Sequence, residues 1–244
     1  MKKLIAITFC LGIIMSAIGL LMGGKFKLPN ENFHSRQEKL QPFSQINIDI
    51  QCADVIIKKA EDYSIKLGYD ENKYSFAYEV ENGILSVTSK VKHKNHKWFG
   101  FNHDDDTNKL EINLPADYDK DTKIKIDADC SKINLYELRL VDSYIKSDVG
   151  DIKGENLKAS NLKINSDVGN INLSGEFTGN TTFNTNVGKL KLECNEQSFD
   201  LSADLGRIKI NGHDQKNNYV SNATGKNKIT ARSNIGDINI KTKP

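Results

Sequence analysis

Apolar and polar positions divide the chain into one long apolar run and many short alternating ones. Residues 4–22 carry no charge over nineteen positions, with Lys2 and Lys3 before them and Gly23-Gly24-Lys25 after. About 20 apolar residues cross a bilayer as a helix. Residues 1–27 therefore read as an N-terminal transmembrane anchor, with a cleaved signal peptide as the alternative. Residues 28–42 are polar, contain Pro29 and Pro42, and read as a linker. From Ile46 the rhythm changes to period two: Ile46, Ile48, Ile50, then Ile65 and Leu67, then Tyr74, Phe76, Tyr78 and Val80. Such alternation predicts half-buried strands. Asn82-Gly83 before Ile84-Leu-Ser-Val87 predicts a tight hairpin, and Leu110, Ile112 and Leu114 form a strand stopped by Pro115. No segment after residue 27 sustains a long helical period.

A repeat dominates the second half. Val149-Gly150-Asp151-Ile152, Val168-Gly169-Asn170-Ile171, Val187-Gly188-Lys189-Leu190, Leu205-Gly206-Arg207-Ile208 and Ile235-Gly236-Asp237-Ile238 align, with glycines 19, 19, 18 and 30 residues apart. Ser147, Ser166, Thr185, Ala203 and Ser233 stand two places before these motifs, and an Asp or Asn stands between. Cys130-Ser131-Lys132-Ile133 is an imperfect earlier copy, and Cys52-Ala53-Asp54-Val55 an eroded one. A fixed period of this length means stacked units, each too short to bury its own apolar face. The glycine breaks the alternation and places a bend there. Corresponding strands in successive coils should pair in parallel about 4.8 Å apart. The column Val149, Val168, with Cys130 and Cys52 in register, is expected to point inward, where free Cys packs as a small hydrophobe. The 30-residue spacing before Gly236 implies an inserted loop near 212–225 or a degenerate rung. The expected fold is all-β: a single-stranded parallel β-solenoid over residues 43–244 with an inserted antiparallel hairpin region, preceded by the N-terminal transmembrane helix.

Composition changes little of this picture. The chain is 38% hydrophobic and 27% charged, with net charge +2, and four of its lysines lie in the first 27 residues. The remainder is slightly acidic, which is no footprint for nucleic acid. Cys10, Cys52, Cys130 and Cys194 form no CxxC pair, so no zinc ribbon or thioredoxin-type site is indicated.

Candidate chemistry is sparse. Gly225-Lys226 lacks the upstream glycine and the following Ser or Thr of a phosphate-binding loop, and neither GxSxG nor HExxH occurs. Asp129, Asp148 and Asp167 should be neighbours on adjacent rungs, but Asn186 interrupts that column. One segment, residues 93–106, collects His93, His96, Trp98, Phe99, Phe101 and His103 beside three acids. Metal or membrane-surface contact is one reading of it, since imidazole and carboxylate bind metals and Trp favours lipid interfaces. A polar hairpin loop with a local aromatic plug is the other and preferred one. No catalytic residue, cofactor or metal is expected.

Taken together, the apolar anchor, Ile50-Gln-Cys52-Ala-Asp-Val55, Asn82-Gly83-Ile-Leu85-Ser-Val87, Leu110-Glu-Ile112-Asn-Leu114-Pro115 and the serial Ser-Asp-Val-Gly-Asp-Ile units resemble a bacterial family of adhesin-like β-strand repeat proteins, also called toastrack. The resemblance covers about residues 43–240. It implies a membrane-tethered domain with no catalytic residue to carry over, in some members linked to envelope-stress signalling. The anchor makes a C-terminal domain facing away from the cytoplasm the default, and a non-enzymatic binding or sensing domain is expected, with a surface adhesin or structural surface protein as one alternative and a carbohydrate-active β-helix enzyme as the other. Expected partners are the membrane, through the N-terminal helix, and an envelope component or membrane signalling protein. Self-association through end strands is also compatible with the pattern.

Overall fold

A computed structural model of the chain describes residues 33–92, 108–118, 120–195, 197–221 and 227–243. The expected anchor and the 93–106 segment lie outside the described residues. Among the described residues every regular element is a strand, and no helix is long and apolar enough to cross a membrane.

The N-terminal strands are β1 (Phe33–Lys39), β2 (Gln45–Cys52), β3 (Asp54–Ala60), β4 (Ser64–Asp70), β5 (Tyr74–Glu81), β6 (Ile84–Val91) and β7 (Lys109–Pro115). The repeats supply β8 (Lys123–Cys130), β9 (Ile133–Tyr136), β10 (Arg139–Val141), β11 (Tyr144–Val149), β12 (Ile152–Ser160), β13 (Lys163–Val168), β14 (Ile171–Thr178), β15 (Asn180–Val187) and β16 (Leu190–Asn195). The last part contains β17 (Ser198–Leu205), β18 (Ile208–Ile210), β19 (His213–Gln215), β20 (Asn218–Val220), β21 (Lys228–Ile235) and β22 (Ile238–Lys243).

They form two sheets, one of 12 strands and one of 10. Each rung contributes one strand to each sheet, joined at the bend the glycine motif marks. Inward side chains stack in rows along the pile. In one sheet Ile48, Ile126, Ile145, Ile164, Phe183, Ala231 and Leu201 are successive partners. In the other the row is Val55, Ile133, Ile152, Ile171, Leu190, Ile238 and Ile208. All are buried. Each such aliphatic is worth roughly 1.5–3 kcal/mol of transfer free energy, realised only when a neighbouring rung covers it. Phe177 and Phe183 meet edge to face at 5.7 Å, linking the two sheets.

Rung order in space departs from rung order in sequence at both ends. The β2–β3 rung lies between β6–β7 and β8–β9. The C-terminal β21–β22 rung lies between β15–β16 and β17–β18. The 30-residue spacing before Gly236 thus reflects both an insertion and an out-of-order rung. Antiparallel strands then cover the end rungs, β4 and β5 at one end and β19 and β20 at the other.

Two expectations need correction. The hairpins of residues 60–115 do not separate the Cys52 copy from the repeats, because β2 pairs directly with β8. They belong to the same two sheets and close the pile at its end. The segment read as a linker holds β1, which pairs antiparallel with β4 over seven positions. It was hidden because its pattern is almost wholly exposed, as befits an edge strand blunted by charge. The Asn82-Gly83 turn is present, with both residues at positive φ, 52° and 75°.

Candidate functional site

The bend is the most regular surface feature and the one that hydropathy misread. Val149, Val168, Val187, Ile235 and Leu205 do not point inward; they are 49%, 47%, 43%, 50% and 69% exposed. Cys130 is also exposed and Cys52 half-buried. The residues two places earlier are inside instead: Ala128, Ser147, Ser166, Thr185, Ser233 and Ala203 are buried. At three of the bends a buried hydroxyl donates to a carbonyl of the neighbouring rung. Thr185 Oγ1 donates to the Gly169 carbonyl at 3.2 Å and Ser233 Oγ to that of Gly188 at 3.3 Å. Ser147 makes a longer contact with the Ser131 carbonyl, 3.5 Å. At these three bends a buried hydroxyl satisfies an otherwise orphaned carbonyl; Ser166 Oγ makes no such bond and Ala128 and Ala203 carry no hydroxyl, so what all six inner positions share is a small side chain, with the aliphatic turned out.

Glycine follows because the approach leaves no room. A Cβ on Gly169 would stand 2.1 Å from the Gly150 carbonyl oxygen. Ala53 and Ser131 hold the same position in the first two rungs, so the bend survives there despite the altered motif. Ile152, Ile171, Leu190, Ile208 and Ile238 then re-enter the core.

Backbone pairing fixes the outward column as Cys52, Cys130, Val149, Val168, Val187, Ile235, Leu205. At about 4.8 Å per step this row is roughly 29 Å long. Polar rows flank it. On one side Asn186 Nδ2 donates to Asp167 at 3.0 Å, and Asn234 Nδ2 donates to Asn186 at 3.2 Å. Lys146 Nζ sits 2.8 Å from Asp148 and 3.5 Å from Asp127. Protein groups therefore relieve the acid column. On the other side Asp151 accepts from the Asn170 backbone N–H at 2.7 Å, Asn170 Oδ1 accepts from Lys189 N at 2.9 Å, and Asp237 accepts from Arg207 N at 3.0 Å. That backbone hydrogen bond from Arg207 holds the Asp237 carboxyl below its ordinary range. Side-chain to side-chain bonds thus knit one flank, and bonds from Asp or Asn side chains to the next rung's backbone knit the other.

Among the described residues nothing comparable concentrates chemistry elsewhere. Among the described residues no three His, Cys, Asp or Glu are arranged to hold a metal. An open recess of about 360 Å³ on the outer face of the 12-stranded sheet is lined by Lys191, Lys209, Asn211, Asn239 and Lys241. It holds no carboxylate that could act as base. The candidate interaction loop, His93, His96, Trp98, Phe99, Phe101 and His103, lies outside the described residues. Period-two reading missed the outward row because the bend resets the alternation. The sequence signal that could have found it is the Ser or Thr two places before each Val.

A family model described as Toastrack DUF4097 matches residues 43–211. Among solved structures, a candidate cell adhesion protein from Clostridium sporogenes ATCC 15579 is 17% identical, with 86% of this chain and 100% of that one covered and a TM-score of 0.54. A candidate adhesin from Bacteroides fragilis NCTC 9343 is 17% identical over 88% of this chain and 99% of its own, with a TM-score of 0.49. At these identities the first likeness concerns the fold. No protein of curated function matches the chain in sequence.

Proposed function

The chain belongs to the Toastrack DUF4097 family, and from that premise we propose that it is a non-enzymatic, membrane-tethered extracytoplasmic domain that binds a protein partner at the cell envelope. The observation that carries this reading is the outward aliphatic row at the bend. Valine, isoleucine and leucine stand at fixed spacing on a backbone locked by both flanks, so the surface is preorganised and little ordering entropy is lost on binding. A dry aliphatic centre with an amide and carboxylate rim is the anatomy of a protein–protein contact. Glycans call for exposed aromatic platforms, and nucleic acid for a basic stripe; the row offers neither. The apolar run of residues 4–22 would hold the domain at the membrane.

The test is a photo-crosslinking residue placed at Val168 in the full-length chain in its own membranes. A discrete crosslinked partner, lost when Val149, Val168 and Val187 are all changed to Ser in a folded protein, is expected. Absence of any crosslink from the row, with the protein folded, removes the observation on which the reading stands. A surface protein acting without a signalling partner would crosslink instead to envelope material or to neighbouring copies.

A further inference from the structure

The outward column is aliphatic in five consecutive rungs and changes character in the first two, where Cys52 and Cys130 stand side by side. They close β2 and β8, which are parallel and in register. In-register parallel neighbours lie about 4.8 Å apart, inside the roughly 4.4–6.8 Å Cα separation of disulfides, and their side chains leave the same face. The backbone around the pair is pinned. Asn108 Nδ2 donates to the Cys52 carbonyl at 2.9 Å, Ser131 N donates to the Val149 carbonyl at 2.8 Å, and Ala53 N reaches Ser131 Oγ at 3.4 Å.

We propose that Cys52 and Cys130 form a surface dithiol that oxidises reversibly to a cross-strand disulfide, a modification site that staples the β2–β3 rung to the repeats.

The two positions differ in a useful way. Cys130 is exposed, whereas Cys52 is half-buried. Burial and then the hydrogen bond with the Cys130 thiol push the Cys52 thiol up to about 11. The accessible Cys130 is therefore the point of attack on an oxidant, and Cys52 resolves. With a protein or low-molecular-weight disulfide as oxidant, the Cys130 thiolate bonds to one sulfur and expels the other half as a thiolate. Cys52 then attacks the Cys130 sulfur of the mixed disulfide and expels the second half. The two protons leave with the two expelled thiolates. Two protein thiols are oxidised and one external disulfide is reduced, so electrons and atoms balance.

Cys194 cannot substitute: it is fully buried and lies across from Gly175 and Thr242. The two cysteines are 78 positions apart in the chain, and the loop they would close contains β3 to β8. A link of that span removes much denatured-state freedom. It also fixes the one N-terminal rung that packs out of sequence order.

The test uses the purified full-length chain treated with oxidised glutathione and analysed under non-reducing conditions. The expected product is a peptide pair linking Cys52 to Cys130, loss of two thiols per chain, and a melting midpoint raised by roughly 5–15 °C. C52V and C130V carry the residue that other rungs use there, so both should fold; each should abolish the link and the rise, while C194S keeps both. Glutathione adducts that never resolve, links between chains only, or an unchanged midpoint in a chain that carries the link would each overturn the proposal. Because the readout is chemical, it stands apart from any failure to find a binding partner.

Discussion

Replacing Gly150 by Ala probes the bend at a point where no Cβ fits. A Cβ there would stand 2.0 Å from the Ser131 carbonyl oxygen and 2.6 Å from its carbon, and φ is +137°. Real Cβ contacts stay beyond 3.0 Å, so the rungs must part by about 1 Å at this point. The neighbouring bond from Ser131 N to the Val149 carbonyl is 2.8 Å, and that from Gly150 N to the Val168 carbonyl is 2.9 Å. Opening by that amount takes the first, and strains the second, beyond hydrogen-bond length. Losing one or two bonds in a buried place costs about 1–3 kcal/mol, and holding an L side chain at this φ adds about 1–3 kcal/mol. The sum, roughly 2–6 kcal/mol, should lower the thermal midpoint of a chain this size by about 5–20 °C. Gly83 is the matched control: its φ is +75° and nothing lies within 4 Å, so Gly83→Ala should cost only about 1 kcal/mol of backbone strain. Both are measured by urea denaturation of the full-length chain. If Gly150→Ala costs no more than Gly83→Ala, the packed-bend reasoning is wrong.

Further outcomes follow from the same geometry. Phe183→Ala, at a fully buried site against Phe177, should cost about 3–5 kcal/mol in the same assay. Val168→Ser, at a position 47% exposed, should shift stability by less than about 0.5 kcal/mol, where an inward valine would cost far more. Amides of β21 and β22 should exchange as slowly as those of β13 and β14, because the C-terminal rung lies inside the pile; fast exchange would place it at the end. The Lys228 hydrogen bond, aided by Arg232, holds the Asp200 carboxyl below its usual range. A lowered folded pKa stabilises above the unfolded value and loses that contribution as pH falls through the folded one. Wild type should therefore exceed Asp200→Asn by up to about 1 kcal/mol near neutral pH, and the gap should close as pH falls through the lowered folded pKa.

The repeat was legible because its cause is local. A bend that admits no Cβ writes a glycine into each of the later rungs, as Gly150, Gly169, Gly188 and Gly236 show. Strand positions such as Ile164 and Ile171 were legible for the same reason, since alternation holds within each strand. The direction of Val149 and Val187 was not legible, because the carbonyl that draws Ser147 and Thr185 inward belongs to another rung. Nor was rung order. Parallel rows of similar aliphatics carry no code for which neighbour comes next, so nothing in the sequence of β21–β22 says that it separates β15–β16 from β17–β18. The Cys52–Cys130 pairing became visible only once β2 was found against β8.

The central claim is an extracytoplasmic solenoid whose bend row faces outward. Its most direct test is a single cysteine at Val187, in a chain lacking Cys10, Cys52, Cys130 and Cys194, labelled with a membrane-impermeant maleimide on intact cells. The account predicts labelling before lysis, at a rate typical of an exposed thiol. Labelling that appears only after lysis, or only after denaturation, would contradict it.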